Sequence, residues 1–305
     1  MISGEIKFCN YRPRALIKVT GSDALSFLQG QFTNELRQDP GSSTYGLWLN
    51  PKGKVVADSY VLRLAENEFF LASVASPAAV IWQRLEDYIV ADDVALADET
   101  EAACGLALVG SGCGDMMEKI FGARPGAGQF ARSGDALVFG GRRIRAENYE
   151  IIGPEAAVAG GRTRLLAQGC RETGGHEMEY ARIADGLPSI PSDLGPGDLP
   201  NEGGLEESAI SFTKGCYLGQ EVMARLKNMG RVRRRLQVVV GNGAPPRLPA
   251  LLYQGEKKIG EIRSLESTGS EFIALAMLAL TNFDPTAGLS LQPNGPAALR
   301  IKPHG

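Results

Sequence analysis

The stretch ALIKVTGSDALSFLQGQFTNELRQDPGSSTYGLWLNPKGKVVADSYVLRL, residues 15–64, decides the fold class. Its opening run Ala15 to Val19 is apolar and strand-like, and it leads through Gly21 into Ser22-Asp23, a pair suited to capping a helix. Leu25, Leu28, Phe32 and Leu36 then recur at helical spacing. Two partly alternating apolar stretches between Tyr45 and Leu64 flank Asn50-Pro51-Lys52-Gly53, which reads as a hairpin. Working outward, Phe69 to Val74 is a further strand. Ser76-Pro77 opens a second helix, with Ser76 as its cap and Val80, Ile81, Leu85, Tyr88 and Ile89 as its buried stripe.

The same order recurs after about residue 103. Strands are expected at Leu106 to Val109, Ala136 to Phe139, Tyr149 to Ile152 and Met178 to Ile183, and helices at Asp115 to Phe121 and near Ala156 to Ala167. Element order alone, with no residue-level repeat, predicts an α+β protein with two ferredoxin-like βαββαβ modules. Gly186 to Gly204 (GLPSIPSDLGPGDLPNEGG) reads as a long irregular loop, of a kind that is functional or disordered. Past Pro245-Pro246, short pieces at Ala250 to Tyr253, Ile259 to Arg263 and Phe272 to Leu278 predict a small C-terminal β-barrel. The expected units are residues 1–103, 104–240 and 241–305, the first two free to interleave.

Composition narrows the chemistry. The 305 residues are 44% hydrophobic, and 32 basic side chains oppose 35 acidic ones. That balance argues against a nucleic-acid-coating surface but leaves room for a local basic patch. Five cysteines, at 9, 104, 113, 170 and 216, are an odd number without a Cys-x-x-Cys pair, so neither a disulfide framework nor a bound metal is indicated. Two histidines, His176 and His304, are a poor basis for histidine catalysis. The longest apolar run, Phe272 to Leu280, is far below the roughly 20 residues that span a bilayer, so no membrane contact and a cytoplasmic location are expected.

The least ordinary segment is ISFTKGCYLGQEVMARLKNMGRVRRRL, residues 210–236. Cys216 stands before a helix whose stripe is Val222, Met223, Leu226 and Met229 and whose stop is Gly230. Helix-start N–H groups and the adjacent Lys214 would stabilise a thiolate, whereas an inert buried cysteine is the alternative on spacing alone. Cys9, Cys104, Cys113 and Cys170 lack such neighbours and read as packing residues. KGCYLGQE resembles the K-G-C-Y-x-G-Q-E motif of the YgfZ proteins, folate-binding relatives of the glycine-cleavage aminomethyltransferase. VTGSDALSFLQGQFTNEL, LNPKGKVVADSYVLR, LPNEGGLEESAISFTKGCY, LYQGEKKIGEIRS and FIALAML extend the likeness over nearly the whole chain.

The resemblance implies a ring of two α+β units and a β unit around a central hole that holds tetrahydrofolate or a derivative. It further implies a role in the assembly or repair of iron–sulfur proteins, with those enzymes or their assembly factors as partners and tRNA modification as an indirect outcome. Cys216 is then the functional thiol, and Lys214, Gly215, Tyr217, Gly219, Gln220 and Glu221 complete the motif. Glu202 is the expected pterin-binding acid. Aminomethyltransferases carry adjacent aspartates where this chain reads Ala57-Asp58, which argues against one-carbon transfer, the alternative function with Asp58 as acid–base group. Arg182, Arg225 and Arg231 are candidates for the anionic folate tail, since guanidinium groups hold carboxylates in a fork. Asn34 and Asn50 are further folate candidates, with helix-end and turn duties as the competing explanation. Arg225, Lys227, Arg231, Arg233, Arg234 and Arg235 form an acid-free basic run. A weak tRNA contact is therefore a third functional reading, although no interleaved aromatics support base stacking.

Overall fold

A computed structural model describes residues 5–229, 232–281 and 283–302. β1 (Lys7–Tyr11) and β2 (Ala15–Thr20) are neighbours in sequence but lie in different sheets. β2 belongs to the first sheet with β3 (Ser43–Leu49), β4 (Val55–Ala65), β5 (Glu68–Ser73) and β6 (Ala95–Asp98), in the order β3-β4-β5-β2-β6. α1 (Ala24–Gln31) precedes β3, and α2 (Ala78–Glu86) precedes β6. The second sheet holds β7 (Ala103–Val109), β8 (Phe130–Ser133), β9 (Ala136–Gly140), β10 (Asn148–Pro154) and β11 (Arg171–Glu172), in the order β11-β1-β7-β10-β9-β8. α3 (Cys113–Phe121) precedes β8, and α4 (Glu155–Ala167) precedes β11.

The two modules are one topology used twice. Each runs strand, helix, three-strand meander, helix, strand, and differs from the βαββαβ order that the sequence suggests by one strand in the meander. Within the modules, the strands the sequence does not announce are β1, β6, β8 and β11, of five, four, four and two residues. In the second module β1 is wedged between β7 and β11, antiparallel to the former and parallel to the latter, so the N-terminal strand completes the other module's sheet.

The segment expected as a strand at Met178 to Ile183 is instead inside α5 (Gly175–Ala184). Of its buried residues Met178, Ala181, Arg182 and Ile183, the first three fall at i, i+3 and i+4, a helical period that outweighs the alternation read over so short a run. α6 (Glu206–Ala209) and α7 (Gln220–Met229) follow the Pro/Gly stretch. That stretch is not loose. Ile190, Leu194 and Asp193 are fully buried, and the two apolar residues join a core with Leu47, Leu49 and Val55 of the first sheet and Val238, Ile273 and Leu275 of the third.

The third sheet comprises β12 (Arg234–Asn242), β13 (Ala250–Gln254), β14 (Lys257–Thr268), β15 (Glu271–Ala279) and β16 (Leu299–Ile301), in the order β13-β14-β15-β12-β16. Its two edges are joined through one short segment, because Ser290 bridges to Tyr253 on β13 and Leu289 to Leu299 on β16. The sheet thus curls around its own core of Val239, Leu252, Ala274 and Leu289. Pairing both edges satisfies backbone groups that an open sheet would leave exposed.

Pleating assigns each face of the first sheet. On β4, Ala57 and Val61 point to the α1/α2 side, where they pack with Trp48, Phe69 and Ile81. The alternate residues Tyr60 and Leu62 point the other way and pack with Leu137, Phe139 and Ile152 of the second sheet. Asp58 shares that second face, so a carboxylate stands at the seam between two sheets.

Candidate functional site

Asp58 is half-buried, and its carboxylate accepts three side-chain hydroxyls: Tyr45 at 2.9 Å, Ser73 at 3.0 Å and Ser76 at 2.6 Å. The hairpin register places Tyr45 and Asp58 on nearby rungs, and Ser73 ends β5. Ser76 does not cap α2. Its Oγ accepts from the Asp58 N–H at 2.9 Å and donates to Asp58, leaving Pro77 at the cap position. Burial raises the Asp58 pKa, against the lowering effect of the Ser76, Tyr45 and Ser73 hydroxyls and the Arg142 charge. The Ser22-Asp23 cap also differs from expectation: the Asp23 carboxylate accepts from the Asp93 N–H, and no side chain caps α1.

Asp58 lines a cavity of about 60 Å³ together with Tyr60, Arg143, Glu150, Arg182 and the turn Leu187-Pro188. A second cavity of about 720 Å³ shares Arg142, Leu187 and Pro188 with it and extends past Arg145, Asn148, Tyr149 and Ser208. Most charges here are already matched. Arg143 donates to Glu150 at 2.6 Å, Tyr11 donates to the same carboxylate at 2.6 Å, and Arg145 donates to the Asp185 carbonyl at 2.8 Å. Arg142 differs: among the described residues it makes no ion pair, its guanidinium lies 4.2 Å from the Tyr45 ring centroid, and it lines both cavities. Neither Arg142 nor Tyr45 stands out in the sequence as a site residue. The run Arg142-Arg143-Ile144-Arg145 after a Gly-Gly pair is the signal that could have found the first.

Cys216 is exposed and free, while the other four cysteines are buried. Burial pushes the Cys113 thiol up to about 11, and it raises those of Cys9 and Cys170. Neither of the groups expected to stabilise a Cys216 thiolate is placed to do so. Lys214 points inward, donating to the carbonyls of Gln29, Phe32 and Asn34 at 2.8, 2.7 and 2.8 Å, and α7 begins only at Gln220. Lys214 is 6% exposed, and burial lowers its pKa to about 8. Three carbonyls at the end of α1 match the three donors of an ammonium, so this lysine ties the motif loop to the first module.

The remaining motif residues complete that tie. Tyr217 is buried, with its phenol pushed up to about 12 and its hydroxyl without a partner among the described residues. Gly219 adopts φ +88°, and a Cβ there would stand 3.0 Å from the Asn50 carbonyl oxygen, so the loop needs glycine to reach the hairpin tip. Gly215 is exposed, Gln220 opens α7, and Glu221 is exposed in its first turn.

Other expected folate ligands have different work. Glu202 is buried, its carboxylate accepting Arg234 at 2.9 Å on each oxygen and the Leu199 N–H at 2.7 Å, and it lines neither cavity. Asn34 donates to the Tyr45 carbonyl, and Asn50 accepts the Lys52 and Lys54 N–H groups inside the hairpin turn. Arg182 does reach the small cavity, but its guanidinium is spent on Asp193 at 2.7 Å, Glu179 and Ser264. Arg225 is exposed on α7, away from both cavities. Arg231 and Gly230 lie outside the described residues. Among those described, no group of three or more His, Cys, Asp or Glu is placed to hold a metal, and no helix is long and apolar enough to cross a membrane.

Residues 8–214 match the family profile described as the GCVT N-terminal domain. The chain belongs to that family. It is 29% identical over 262 residues to a putative chloroplastic transferase of Arabidopsis thaliana, covering 81% of this chain but only 59% of the plant protein. It is 29% identical to the human mitochondrial iron–sulfur cluster assembly factor IBA57, over 87% of this chain and 75% of that one. It is 27% identical to the tRNA-modifying protein YgfZ of Yersinia enterocolitica, over 86% and 78% of the two chains. The resemblance read from KGCYLGQE therefore holds for most of this family member's length. Its fold is that of the glycine cleavage system aminomethyltransferase T from Bartonella henselae, with a TM-score of 0.82 at 20% identity, over 98% of this chain and 86% of that one.

Proposed function

We propose that this family member is a tetrahydrofolate-binding accessory protein that supports iron–sulfur cluster assembly or repair and, through such clusters, tRNA modification. The names of the human and Yersinia relatives support the cluster and tRNA parts of the reading. In it, the three units form a ring around the two neighbouring cavities, and folate occupies them. The donor set suits a reduced pterin. Asp58, rather than Glu202, offers the acceptor for an amide-like donor edge, Tyr45 and Tyr60 offer aromatic walls, and Arg142 is the unmatched cation for an anionic tail. The larger cavity, about 720 Å³, lies in the usual range for small-molecule sites. The observation that carries the reading is this pairing of a hydroxyl-bound acid and a guanidinium without an ion pair among the described residues, at two cavities that share Arg142, Leu187 and Pro188.

Cys216 works at the surface of the same protein as an exposed thiol open to a partner's sulfur or metal. One thiol cannot hold a cluster, so a partner chain or small thiols complete any ligation. Anaerobic calorimetric titration with tetrahydrofolate should give saturable binding, weakened about 10-fold or more by Arg142→Met, which corresponds to about 1.4 kcal/mol. Cys216→Ser should bind folate normally and yet fail to restore iron–sulfur enzyme activity in cells lacking this protein. Absence of saturable binding, or full rescue by Cys216→Ser, overturns the proposal. Conversion of an aminomethyl donor to methylene-tetrahydrofolate at a rate cut by Asp58→Asn would make the protein a transferase instead.

A further inference from the structure

Arg84, on the last turn of α2, is 7% exposed. Its Nε donates to the Leu49 carbonyl at 3.0 Å, and its guanidinium lies 4.3 Å from the Tyr88 ring centroid. Both Nη atoms are buried and have no partner among the described residues. Asp87, whose charge acts on Arg84, instead accepts the Gln83 amide at 2.7 Å. A guanidinium does not discharge in a protein, so this is a buried cation with two unused donor groups. Proteins seldom leave such groups unmatched, because desolvating them is costly.

Arg84 and Tyr88 line an open groove of about 530 Å³ between α2 and the hairpin tip. Pro51, Val56, Ala79 and Val80 make its walls apolar, and Val80 is 37% exposed. The hairpin tip also abuts the motif loop, since Gly219 packs on the Asn50 carbonyl and Gly53. A partner seated in the groove would share the tip with the Cys216 loop.

We propose that this groove docks an acidic, otherwise apolar segment of a partner protein, whose aspartate or glutamate carboxylate pairs with both Nη atoms of Arg84. Charge complementarity sets the acid, and the walls set its flanks. The half-buried Tyr88 ring moves aside on docking, so that a cation–π contact gives way to a bidentate ion pair. The facing titratable groups are Arg84, Tyr88 and Asp87, and Asp87 at the rim disfavours a second acid there.

The test uses the full-length protein and a labelled peptide, acetyl-Ser-Leu-Val-Glu-Leu-Val-Ser-amide, with its glutamine twin, read by fluorescence anisotropy. The glutamate peptide should saturate and bind about 10-fold or more tightly than the twin. Arg84→Met and the rim variant Val80→Glu, which sets a like charge against the incoming acid, should each remove that preference or the binding, and Cys216→Ser should change neither. Should Arg84→Met fail to fold, Val80→Glu and the peptide twin carry the test alone. Equal binding of the twins, no saturation, or displacement by equimolar acetate or phosphate, which would mark a simple anion site, overturns the proposal.

Discussion

Asp58 on β4 and Glu150 on β10 line the same small cavity, one from each α+β module, and they are treated in opposite ways. Glu150, 1% exposed, is met by opposite charge: Arg143 donates to both of its oxygens, at 2.6 and 3.3 Å, and Tyr11 adds a hydroxyl at 2.6 Å. The Asp58 carboxylate accepts hydrogen bonds from neutral hydroxyls. The first arrangement is a strut that ties β1, β10 and the loop after β9 into one sheet, and it offers a ligand little. The second leaves a carboxylate without a contacting counter-charge and with its pKa raised by burial, so an incoming donor gains by meeting it. Of the two acids at this cavity, only the one on the first module stands without a contacting counter-charge among the described residues.

Removing the positive half of the strut should have the largest effect. Arg143→Met leaves Glu150 buried without its counter-charge and should cost about 3–5 kcal/mol in urea unfolding. Adding Glu150→Gln should recover much of that loss through their coupling. A single-variant cost below about 1 kcal/mol would break the contrast between the two acids. Ser76→Ala comes next. It strands the Asp58 N–H and removes a donor from its carboxylate, so about 1–2 kcal/mol should be lost and the Asp58 pKa should climb further, as a carboxyl carbon NMR titration would read.

Asp58→Asn should have the smallest effect and the most telling sign. A carboxyl whose pKa is raised on folding favours the folded state fully below its ordinary value of 3.8, and that contribution is lost as pH climbs through the raised value. The amide of the variant does not titrate. It should therefore match or exceed the parent at pH 7 by up to about 1 kcal/mol, with the gap moving in the parent's favour on acidification. A parent that instead gains stability as pH rises through this range would make Asp58 a second strut.

Much of the architecture is legible without coordinates, because the β3–β4 hairpin and the positions of α1 and α2 show in the letters. The helix stripes hold only in part: α1 stops at Gln31, before the expected Phe32 and Leu36, and α2 ends at Glu86, before Tyr88 and Ile89, burying Ala78, Ile81, Arg84 and Leu85 while the expected Val80 is exposed. The very short strands β6 and β11 are not legible, since they are held by neighbours rather than by their own pattern. α5 reads as a strand because six residues do not separate a period of two from one of 3.6 when Met178, Tyr180, Arg182 and Ile183 are all large. The Pro/Gly stretch is loose by composition, whereas Ile190 and Leu194 anchor it in a core that joins the first and third sheets. At the site, Cys216 and its motif are visible as a local string. Tyr45, Ser73, Ser76 and Arg142 are not, for they converge on Asp58 from separate elements.

What the chain's letters determined alone is local: the motif loop, its glycine turn, the alternation on the hairpin and the membership in a family. Which charge is neutralised, and by whom, was decided only in three dimensions. Glu202 and Arg182 look available in sequence, yet folding brings Arg234 to one and Asp193 to the other, while Arg142 reaches the cavity without a counter-charge among the described residues. The physical reason is that electrostatic energy depends on distance and solvent exposure, and neither is a property of position along a chain.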